Sequence, residues 1–194
     1  MFIKLKNNNI RMQELKFIKF AEFFLANPYK EIYLRELART LKISPFATKK
    51  YADILVKEGL ILEEKRANLR YLKANVANLF YKHLKISCNI RQLLKSGLVE
   101  FLKSNLANVT SIILFGSLAK GEDSKESDID ILIIGKQKPL SLNKFENKLN
   151  KETTLHFFSW SEWNDKAKED HPFYYEIITH GVPLYGELPL TKWK

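Results

Sequence analysis

The stretch that decides the fold of the second half of the chain is FGSLAKGEDSKESDIDILI, Phe115–Ile133. It opens with a glycine-serine pair after an apolar run and closes with two aspartates, Asp128 and Asp130. Because side chains alternate along a strand, both carboxylates lie on one face, with Ile129 and Ile131 on the other. The sequence therefore places two negative charges at the start of a strand that is predicted to be buried.

The pair Gly116-Ser117 lies where this apolar strand meets a helix. Free backbone N–H groups and the positive end of the helix dipole favour an anion there, and the serine hydroxyl adds a donor. The two aspartates repel each other unless a cation lies between them, and Mg²⁺ typically takes one or two carboxylates plus substrate phosphates. Neither the Walker A nor the Rossmann glycine pattern is present. The combination predicts metal-assisted phosphoryl chemistry on a nucleoside triphosphate.

Strand and helix patterns alternate through the second half of the chain. Strands are predicted for VTSIILF (109–115), DIDILII (128–134) and TTLHFF (153–158). Helices are predicted from Gly116 and over 142–150, 160–169 and 172–180. This order indicates an α/β domain with a mixed or parallel sheet.

The first half of the chain has the element order of a winged helix. Helical spacing covers 11–26, 32–43 and 44–58, and Ser44 and Pro45 suit the start of the third helix. Two short strands follow around a turn at 65–68. The segment resembles the winged-helix domains of prokaryotic transcription regulators, in which the third helix enters the major groove. Small helical bundles of this kind also serve as protein-docking modules, and that alternative stays open.

The third helix is predicted to bury Ala47, Tyr51, Ile54 and Leu55. The residues predicted to contact double-stranded DNA, from its outer face and from the hairpin, are Phe46, Thr48, Lys49, Lys50, Lys65, Arg66 and Arg70. The basic members would mainly position the protein on phosphates. Winged helices often bind DNA as dimers, but no dimer seam can be told from the core-facing positions, so a homodimer remains open.

Charge is divided unevenly along the 194 residues, whose formal net charge is +10. Residues 1–105 carry 21 Lys and Arg against 9 Asp and Glu, a net charge of +12, whereas the remainder carries a net charge of −2. This asymmetry favours a polyanionic partner for the first half. A lysine-rich surface that only maintains solubility is the alternative.

Several classes of protein are disfavoured by composition. No apolar run approaches the roughly 20 residues of a membrane span, and no signal peptide is recognisable at the N-terminus. The single cysteine, Cys88, excludes an internal disulfide and argues against a cysteine-based metal site. We therefore expect a cytoplasmic protein without a membrane partner.

The stretch 115–133 resembles the signature of the DNA polymerase beta-like nucleotidyltransferase superfamily, and most of all its minimal nucleotidyltransferase group. The matching residues are Gly116, Ser117, Gly121, Ser127, Asp128 and Asp130. The resemblance covers roughly 106–186, including a closing helix in HPFYYEIITHGVPLYG. It implies transfer of a nucleoside monophosphate, with ATP the expected donor, to a hydroxyl of a protein or nucleic acid. It also implies that Asp128 and Asp130 are catalytic Mg²⁺ ligands and that the nucleotide is bound by Gly116, Ser117, Lys120 and Ser127. For Lys120, a solvated helix lysine without a nucleotide contact is the alternative.

One element of the family pattern is missing. Active members usually place a third carboxylate on a later strand, but the matching segment, KETTLHFFSW, contains no aspartate. Glu152 and His156 are the candidates for a third ligand or base. A lone histidine on a strand is more often structural, so the enzymatic assignment stays open at this point.

The sequence thus predicts a winged-helix domain over 10–75, a helical connector over 76–105 and a nucleotidyltransferase domain over 106–190. Its expected function is Mg²⁺-dependent nucleotidyl transfer combined with DNA binding. Small members of the family group are often paired with a partner protein in toxin–antitoxin modules. The alternative is a DNA-binding regulator or antitoxin whose second domain binds nucleotide without turnover.

Overall fold

The computed structural model describes residues 2–191, with side chains described from residue 14 onward. The chain divides into two compact units, Met1–Lys82 and His83–Lys194. The division falls inside one helix, Leu79–Ser96. Among the described residues, no helix combines the length and the hydropathy needed to cross a bilayer.

The first unit combines helices with a small antiparallel sheet. In chain order its elements are α1 (Phe2–Ala26), β1 (Ile32–Tyr33), α2 (Leu34–Leu41), α3 (Pro45–Lys57), β2 (Ile61–Arg66) and β3 (Leu69–Ala74). The strand order is β1-β3-β2, so the hairpin strand β3 is central. The start of α3 is as predicted, because the Ser44 hydroxyl accepts from the Ala47 N–H at 3.3 Å and Pro45 is the first helical residue.

The prediction of a helix from residue 32 is wrong at its start. Ile32 and Tyr33 form β1 and pair with Leu72 and Tyr71 of β3, and the helix begins only at Leu34. Ile32 is buried and β-branched, which suits a strand packed against the sheet core. A two-residue strand is too short for alternation to separate it from the adjoining helical pattern.

The buried face of α3 is also offset from the predicted one. Tyr51 and Leu55 are buried as expected, but Ile54 is 39% exposed. Thr48, which was placed on the outer face, is fully buried, and its hydroxyl donates to the Ser44 carbonyl at 2.9 Å. This internal bond satisfies the hydroxyl, so a threonine can occupy a position that polarity alone assigns to solvent.

The second unit is built on a mixed sheet, as predicted. Its elements after α4 (Leu79–Ser96) are α5 (Leu98–Asn105), β4 (Ala107–Phe115), α6 (Gly116–Lys120), β5 (Ile129–Lys136), α7 (Asn143–Leu149), β6 (Thr153–Phe158), α8 (Trp160–Glu169), α9 (His171–His180) and β7 (Val182–Tyr185). The strand order is β6-β5-β4-β7. Strands β5 and β6 are parallel, whereas β4 is antiparallel to both β5 and β7.

The sheet of the second unit separates two apolar layers, because its central strands are buried on both faces. One layer includes Ile112, Leu114, Ile131 and Ile133 with Leu93, Leu98, Leu102 and Phe145. The other includes Ile113, Phe115, Leu132 and Ile134 with Trp163, Ala167, Tyr174 and Ile177. Part of the segment expected to be a connector, 76–105, therefore contributes core side chains to the second unit.

The closing segment 182–185 forms a strand rather than an extension of the helix that precedes it. Helix α9 ends at His180, and β7 then pairs with β4. Pro183 lies opposite Ile113 in this pair. Proline is tolerated there because β7 is at the edge of the sheet and needs no second set of hydrogen bonds.

Candidate functional site

The glycine-serine turn and the two aspartates meet at one end of the sheet. Phe115, the last residue of β4, pairs with Asp130 on β5, and Gly116 follows with a φ of +70°. A Cβ atom on Gly116 would lie 2.6 Å from the Asp130 Oδ2 atom. Only glycine fits this backbone conformation and this approach, so the two halves of the motif are in direct contact.

The two aspartates differ in their surroundings. Asp128 precedes β5 and is exposed, whereas Asp130 is the second residue of β5 and is partly buried. Ile129 and Ile131 are buried on the opposite face, as alternation predicted. Burial raises the pKa of the Asp130 carboxyl; nearby His156 acts in the opposite direction, and the charge of Asp128 adds to the increase. A carboxylate in this setting gains from a bound cation.

Of the two candidates for a third member, His156 lies beside the aspartates. Its Nε2 atom is 4.0 Å from the Asp130 Oδ1 atom. Its ring packs 5.1 Å from the ring of Phe115 and 6.3 Å from that of Phe173, centroid to centroid. Glu152 is exposed before β6, and its carbonyl accepts from the Ile129 N–H at 2.8 Å. Glu152 thus ties β6 to β5 through its backbone.

Lys120 and Ser127, two of the remaining predicted nucleotide contacts, bond to other residues of this chain. The third, Ser117, is half-buried. The Lys120 Nζ atom lies 2.8 Å from the Glu176 Oε1 atom on α9. The Ser127 hydroxyl accepts from the Ser124 N–H at 2.9 Å and so shapes the loop before β5. In this structure Lys120 and Ser127 therefore support the site, and neither position was predicted to have these partners.

A buried polar cluster behind the same loop was not predicted from the sequence. It consists of Lys85, Asn89, Asp123 and Lys151. The available signal was the spacing in α4, because Tyr81, Lys85, Asn89 and Leu93 recur every four residues and all are buried. Two polar residues inside a buried helical stripe indicate a buried polar partner.

The predicted DNA-contacting residues of the first unit fall into two groups. Phe46 is 81% exposed, and Lys49, Lys50 and Lys65 are exposed. Arg66 and Arg70 are instead held in ion pairs. Arg66 donates to both Glu31 oxygens at 2.7 and 2.8 Å and also contacts Glu64. The structure therefore leaves the α3 lysines, rather than the hairpin arginines, available to an anion.

The Arg70 guanidinium is enclosed by two acidic residues. It lies 2.8 Å from the Asp53 carboxylate and also contacts Glu63. Thr48 is buried, as described above, so its predicted position on the outer face is wrong.

Among the residues that the structure describes, no group of three or more His, Cys, Asp or Glu side chains is arranged to hold a metal ion. Asp128 and Asp130 still fit Mg²⁺, because this ion keeps waters and completes its shell with substrate phosphates instead of an all-protein cage. Their oxygen donors and their contact with the glycine turn suit a metal that arrives with a nucleotide.

The family described as Polymerase beta, Nucleotidyltransferase matches residues 97–188. The match lies within the second unit, which is therefore similar to that nucleotidyltransferase family. The matched range includes the glycine-serine turn, both aspartates and His156. The resemblance inferred from the sequence is therefore confirmed for the superfamily, and the match does not extend into the first unit.

No curated protein matches the chain. Among solved structures, a toxin–antitoxin complex with AMP-PNP is 22% identical, with a TM-score of 0.35, over 51% of this chain and 74% of that one. A mutant of the toxin–antitoxin pair MntA-HpeT is 18% identical, with a TM-score of 0.35, over 48% and 73%. TrmBL2, an archaeal chromatin protein, is 13% identical, with a TM-score of 0.25, over 82% and 68%. The family match alone carries the assignment of the second unit.

Proposed function

We propose that the second unit transfers a nucleoside monophosphate from a nucleoside triphosphate, with ATP the expected donor, to a hydroxyl group. The observation that carries this proposal is the contact between Gly116 and Asp130 at the end of the sheet. It supports a site in which the triphosphate lies against the glycine-serine turn, next to the two carboxylates. The family that matches residues 97–188 is described as a nucleotidyltransferase family, which agrees with this reaction.

Each residue of the proposed site has a distinct task. Gly116 lets the phosphates approach the backbone, and the Ser117 hydroxyl donates to them. Asp128 and Asp130 would hold Mg²⁺, which when bound neutralises the charge of the phosphates. His156 is proposed as the third member because its Nε2 atom lies 4.0 Å from the Asp130 Oδ1 atom.

The transfer reaction needs an acceptor, and we propose a hydroxyl of a partner protein or of a nucleic acid. The exposed position of Asp128 supports a macromolecular acceptor, because the reacting end of the site is open to solvent. A protein acceptor would be the second component of a toxin–antitoxin pair. Labelled transfer onto candidate acceptors separates these two classes.

The test of the proposed site is calorimetric titration of ATP in the presence of Mg²⁺. We expect Mg²⁺-dependent binding to the wild type that is lost when Asp128→Asn and Asp130→Asn are combined. Asp165→Asn is the matched control, because Asp165 lies on α8 and only faces Lys168 at 3.8 Å. The proposal is wrong if the double variant binds ATP as strongly as the wild type does. It is also wrong if the wild type binds none of ATP, GTP, CTP and UTP.

A second candidate function is nucleotide sensing without turnover, and one observation favours it. Strand β6 carries neither aspartate nor glutamate, and its His156 lies 4.0 Å from Asp130. Under this alternative the second unit binds the nucleotide and the first unit binds DNA. Labelled-nucleotide transfer distinguishes the two, because only the enzyme leaves a covalent product on an acceptor.

We also propose that the first unit is a winged helix that binds double-stranded DNA through α3. The helix order and the sheet order β1-β3-β2 support this assignment. Phe46, Lys49 and Lys50 lie exposed on α3, and residues 1–82 carry 17 Lys and Arg against 8 Asp and Glu, a net charge of +9. The two lysines would contact phosphates in a way that depends on salt and little on sequence.

The DNA proposal is tested by the salt dependence of duplex binding. We expect Lys49→Ala combined with Lys50→Ala to weaken binding and to lower the slope of log K against log salt by about 2, because each phosphate contact contributes about 0.9. Lys19→Ala with Lys73→Ala is the control, since both lysines are exposed but lie off α3. Equal effects of the two pairs would indicate nonspecific charge, and an absence of DNA affinity at low salt would make the first unit a protein-docking module.

A further inference from the structure

The loop between α6 and β5, residues 121–128, is anchored from its buried side by Asp123. This aspartate is only 4% exposed. Its Oδ2 atom lies 3.1 Å from the Lys85 Nζ atom, and Lys85 is only 3% exposed. Its Oδ1 atom accepts a hydrogen bond from the Asn89 amide at 2.7 Å. Asp123 is therefore a buried carboxylate that faces a lysine and accepts a hydrogen bond from an amide, and both partners belong to α4.

Asn89 links this loop to the helix that follows the glycine turn. The same Nδ2 group donates to the Leu118 carbonyl of α6 at 3.0 Å. One side chain of α4 thus contacts both α6 and the loop. Movement of the loop would break this pair of bonds, so α4 fixes the position of α6 relative to Asp123.

Lys151 holds the far end of the loop, next to the aspartates. Its Nζ atom donates to the Ser127 carbonyl at 2.8 Å and to the Ser124 carbonyl, and it lies 4.0 Å from the Asp123 Oδ2 atom. Burial lowers the pKa of this lysine, and the nearby Asp123 carboxylate acts in the opposite direction. Lys151 therefore contacts three groups of the loop before Asp128: the carbonyls of Ser124 and Ser127 and the carboxylate of Asp123.

Such a cluster is an inefficient way to gain stability. Burying a cation and a carboxylate removes both from water, which opposes folding before their attraction is counted, and apolar residues of similar size are often equally stabilising. Polar clusters of this kind instead specify one arrangement, because their bonds are directional. The arrangement specified here is the one that places the glycine-serine turn against Asp130.

We propose that Lys85, Asn89 and Lys151 are positioning residues that fix the 121–128 loop through Asp123 and so hold the two halves of the nucleotide site together. The loop-fixing role follows from the contacts alone, whereas its consequence for nucleotide binding rests on the proposed function. Lys151 is the member to change first, because its two carbonyl contacts are on the loop itself and its side chain is less buried than that of Lys85.

The test compares Lys151→Met with the matched control Lys148→Met. Lys148 also donates to two backbone carbonyls, those of Lys95 and Ser96 at 2.9 and 3.1 Å, but these end α4 and do not touch the loop. Both variants lose one lysine and two bonds to backbone carbonyls, although Lys148 is exposed and Lys151 is partly buried. Backbone hydrogen exchange of residues 121–128 and Mg²⁺-dependent ATP binding are measured on the full chain.

We expect Lys151→Met to raise loop exchange and to weaken ATP binding, each by about tenfold, with little change for Lys148→Met. Lys151→Arg, which keeps the charge and the donors, is expected to restore part of both. Asn89→Ala provides a second variant should Lys151→Met fold poorly, and we expect it to loosen the same loop. A purely structural lysine would lower the melting temperature without this selective loss of affinity.

The outcomes separate the two proposals. If the wild type binds Mg²⁺-ATP and Lys151→Met binds it equally well, the positioning role is overturned. If the wild type binds no nucleotide, the proposed function fails, and hydrogen exchange alone decides the loop-fixing role. Loosening confined to Lys151→Met and Asn89→Ala then supports that role, and exchange equal to the wild type overturns it.

Discussion

The two units use the same types of charged residue in opposite ways. In the first unit, Arg66 faces Glu31 and Glu64 on a surface reached by solvent, and Arg70 faces Asp53 and Glu63 in a setting that is only partly buried. In the second unit, Lys85 and Asp123 face each other with almost no exposure. The first arrangement is screened by water and salt, whereas the second is not.

This difference separates charge that is available to a ligand from charge that is committed to the fold. The hairpin arginines stand out in the sequence as basic residues near a turn, but their charge is already offset by neighbours. The buried lysine of α4 does not stand out, yet it supports the loop that carries the candidate site. Substitutions that remove each kind of charge should therefore differ in their cost to stability.

Lys85→Met is expected to have the largest effect on stability. It removes the main partner of a buried carboxylate, and breaking a buried pair in this way typically costs about 3–5 kcal/mol. Urea unfolding followed by tryptophan fluorescence reports on the second unit, because all three tryptophans lie after residue 159. Combining Lys85→Met with Asp123→Leu should recover part of the loss, since no unpaired buried charge then remains.

The matched control for this prediction is Lys103→Met, which removes a half-buried lysine whose Nζ atom lies 3.0 Å from the exposed Glu100 and 4.8 Å from the centroid of the Tyr185 ring. We expect its cost to be about 0–1 kcal/mol. Equal losses for the two variants would remove the distinction between buried and exposed pairs on which the comparison depends.

Gly116→Ala is expected to follow, with an effect on both stability and nucleotide binding. The left-handed backbone at this position costs an alanine of order 1–3 kcal/mol, and the added Cβ would lie 2.6 Å from the Asp130 Oδ2 atom. Asp130 must therefore move, so we expect Mg²⁺-dependent ATP binding to be lost in calorimetry.

Gly97→Ala separates the two causes. Gly97 has a φ of +86°, but the nearest atom to an added Cβ is 4.0 Å away, on Phe145. This variant carries the backbone penalty without the collision, so it should lose stability and keep ATP binding. Loss of binding in both variants would show that general destabilisation, and not the contact with Asp130, controls the site.

Arg70→Ala is expected to lower the free energy of unfolding by about 1 kcal/mol. This loss lies between those expected for the buried Lys85 pair and for the exposed ion pairs. The Arg70 side chain is partly buried between Asp53 and Glu63, so it is less screened than Arg66. Urea unfolding followed by circular dichroism measures the change, with the exposed Arg35→Ala as the control. A cost as large as that of Lys85→Met would mean that burial does not distinguish the two units.

The sequence predicted what depends on neighbouring residues. Strand alternation placed Asp128 and Asp130 on one face, and the glycine-serine turn was located at the end of its strand. It could not predict contacts between residues far apart in the chain, such as Arg66 with Glu31, 35 residues away, or Lys85 with Asp123. These contacts arise only when the sheet and helices are assembled, so polar residues that they bury look exposed in the sequence.

The misplacement of the α3 face has a related cause. Assigning faces by polarity put Ile54 inside and Thr48 outside, because an apolar side chain is expected in the core. The hydrogen bond from the Thr48 hydroxyl to the Ser44 carbonyl removes the cost of burying it. This bond forms only after the helix exists, so hydrophobicity along the sequence does not reveal it.

Arg66→Ala is expected to have the smallest effect, although Arg66 bonds to two carboxylates, those of Glu31 and Glu64. Its bonds to Glu31 and Glu64 are exposed, and its stacking on the Tyr71 ring, 4.7 Å from the centroid, is also open to solvent. We expect a smaller change in urea unfolding than for Arg70→Ala, and less loss of DNA affinity than for the Lys49 and Lys50 pair.

The pH dependence of this smallest effect has a definite sign. The hydrogen bond from Arg66 holds the pKa of the Glu64 carboxyl below its ordinary value. The pair therefore contributes at neutral pH, and its contribution is lost as the pH falls through the folded-state value. We expect the free energies of unfolding of the wild type and of Arg66→Ala to converge as the pH falls through this acidic range. If Arg66→Ala instead weakens DNA binding as much as the lysine pair does, the ion pairs open on binding and the hairpin charge is available after all.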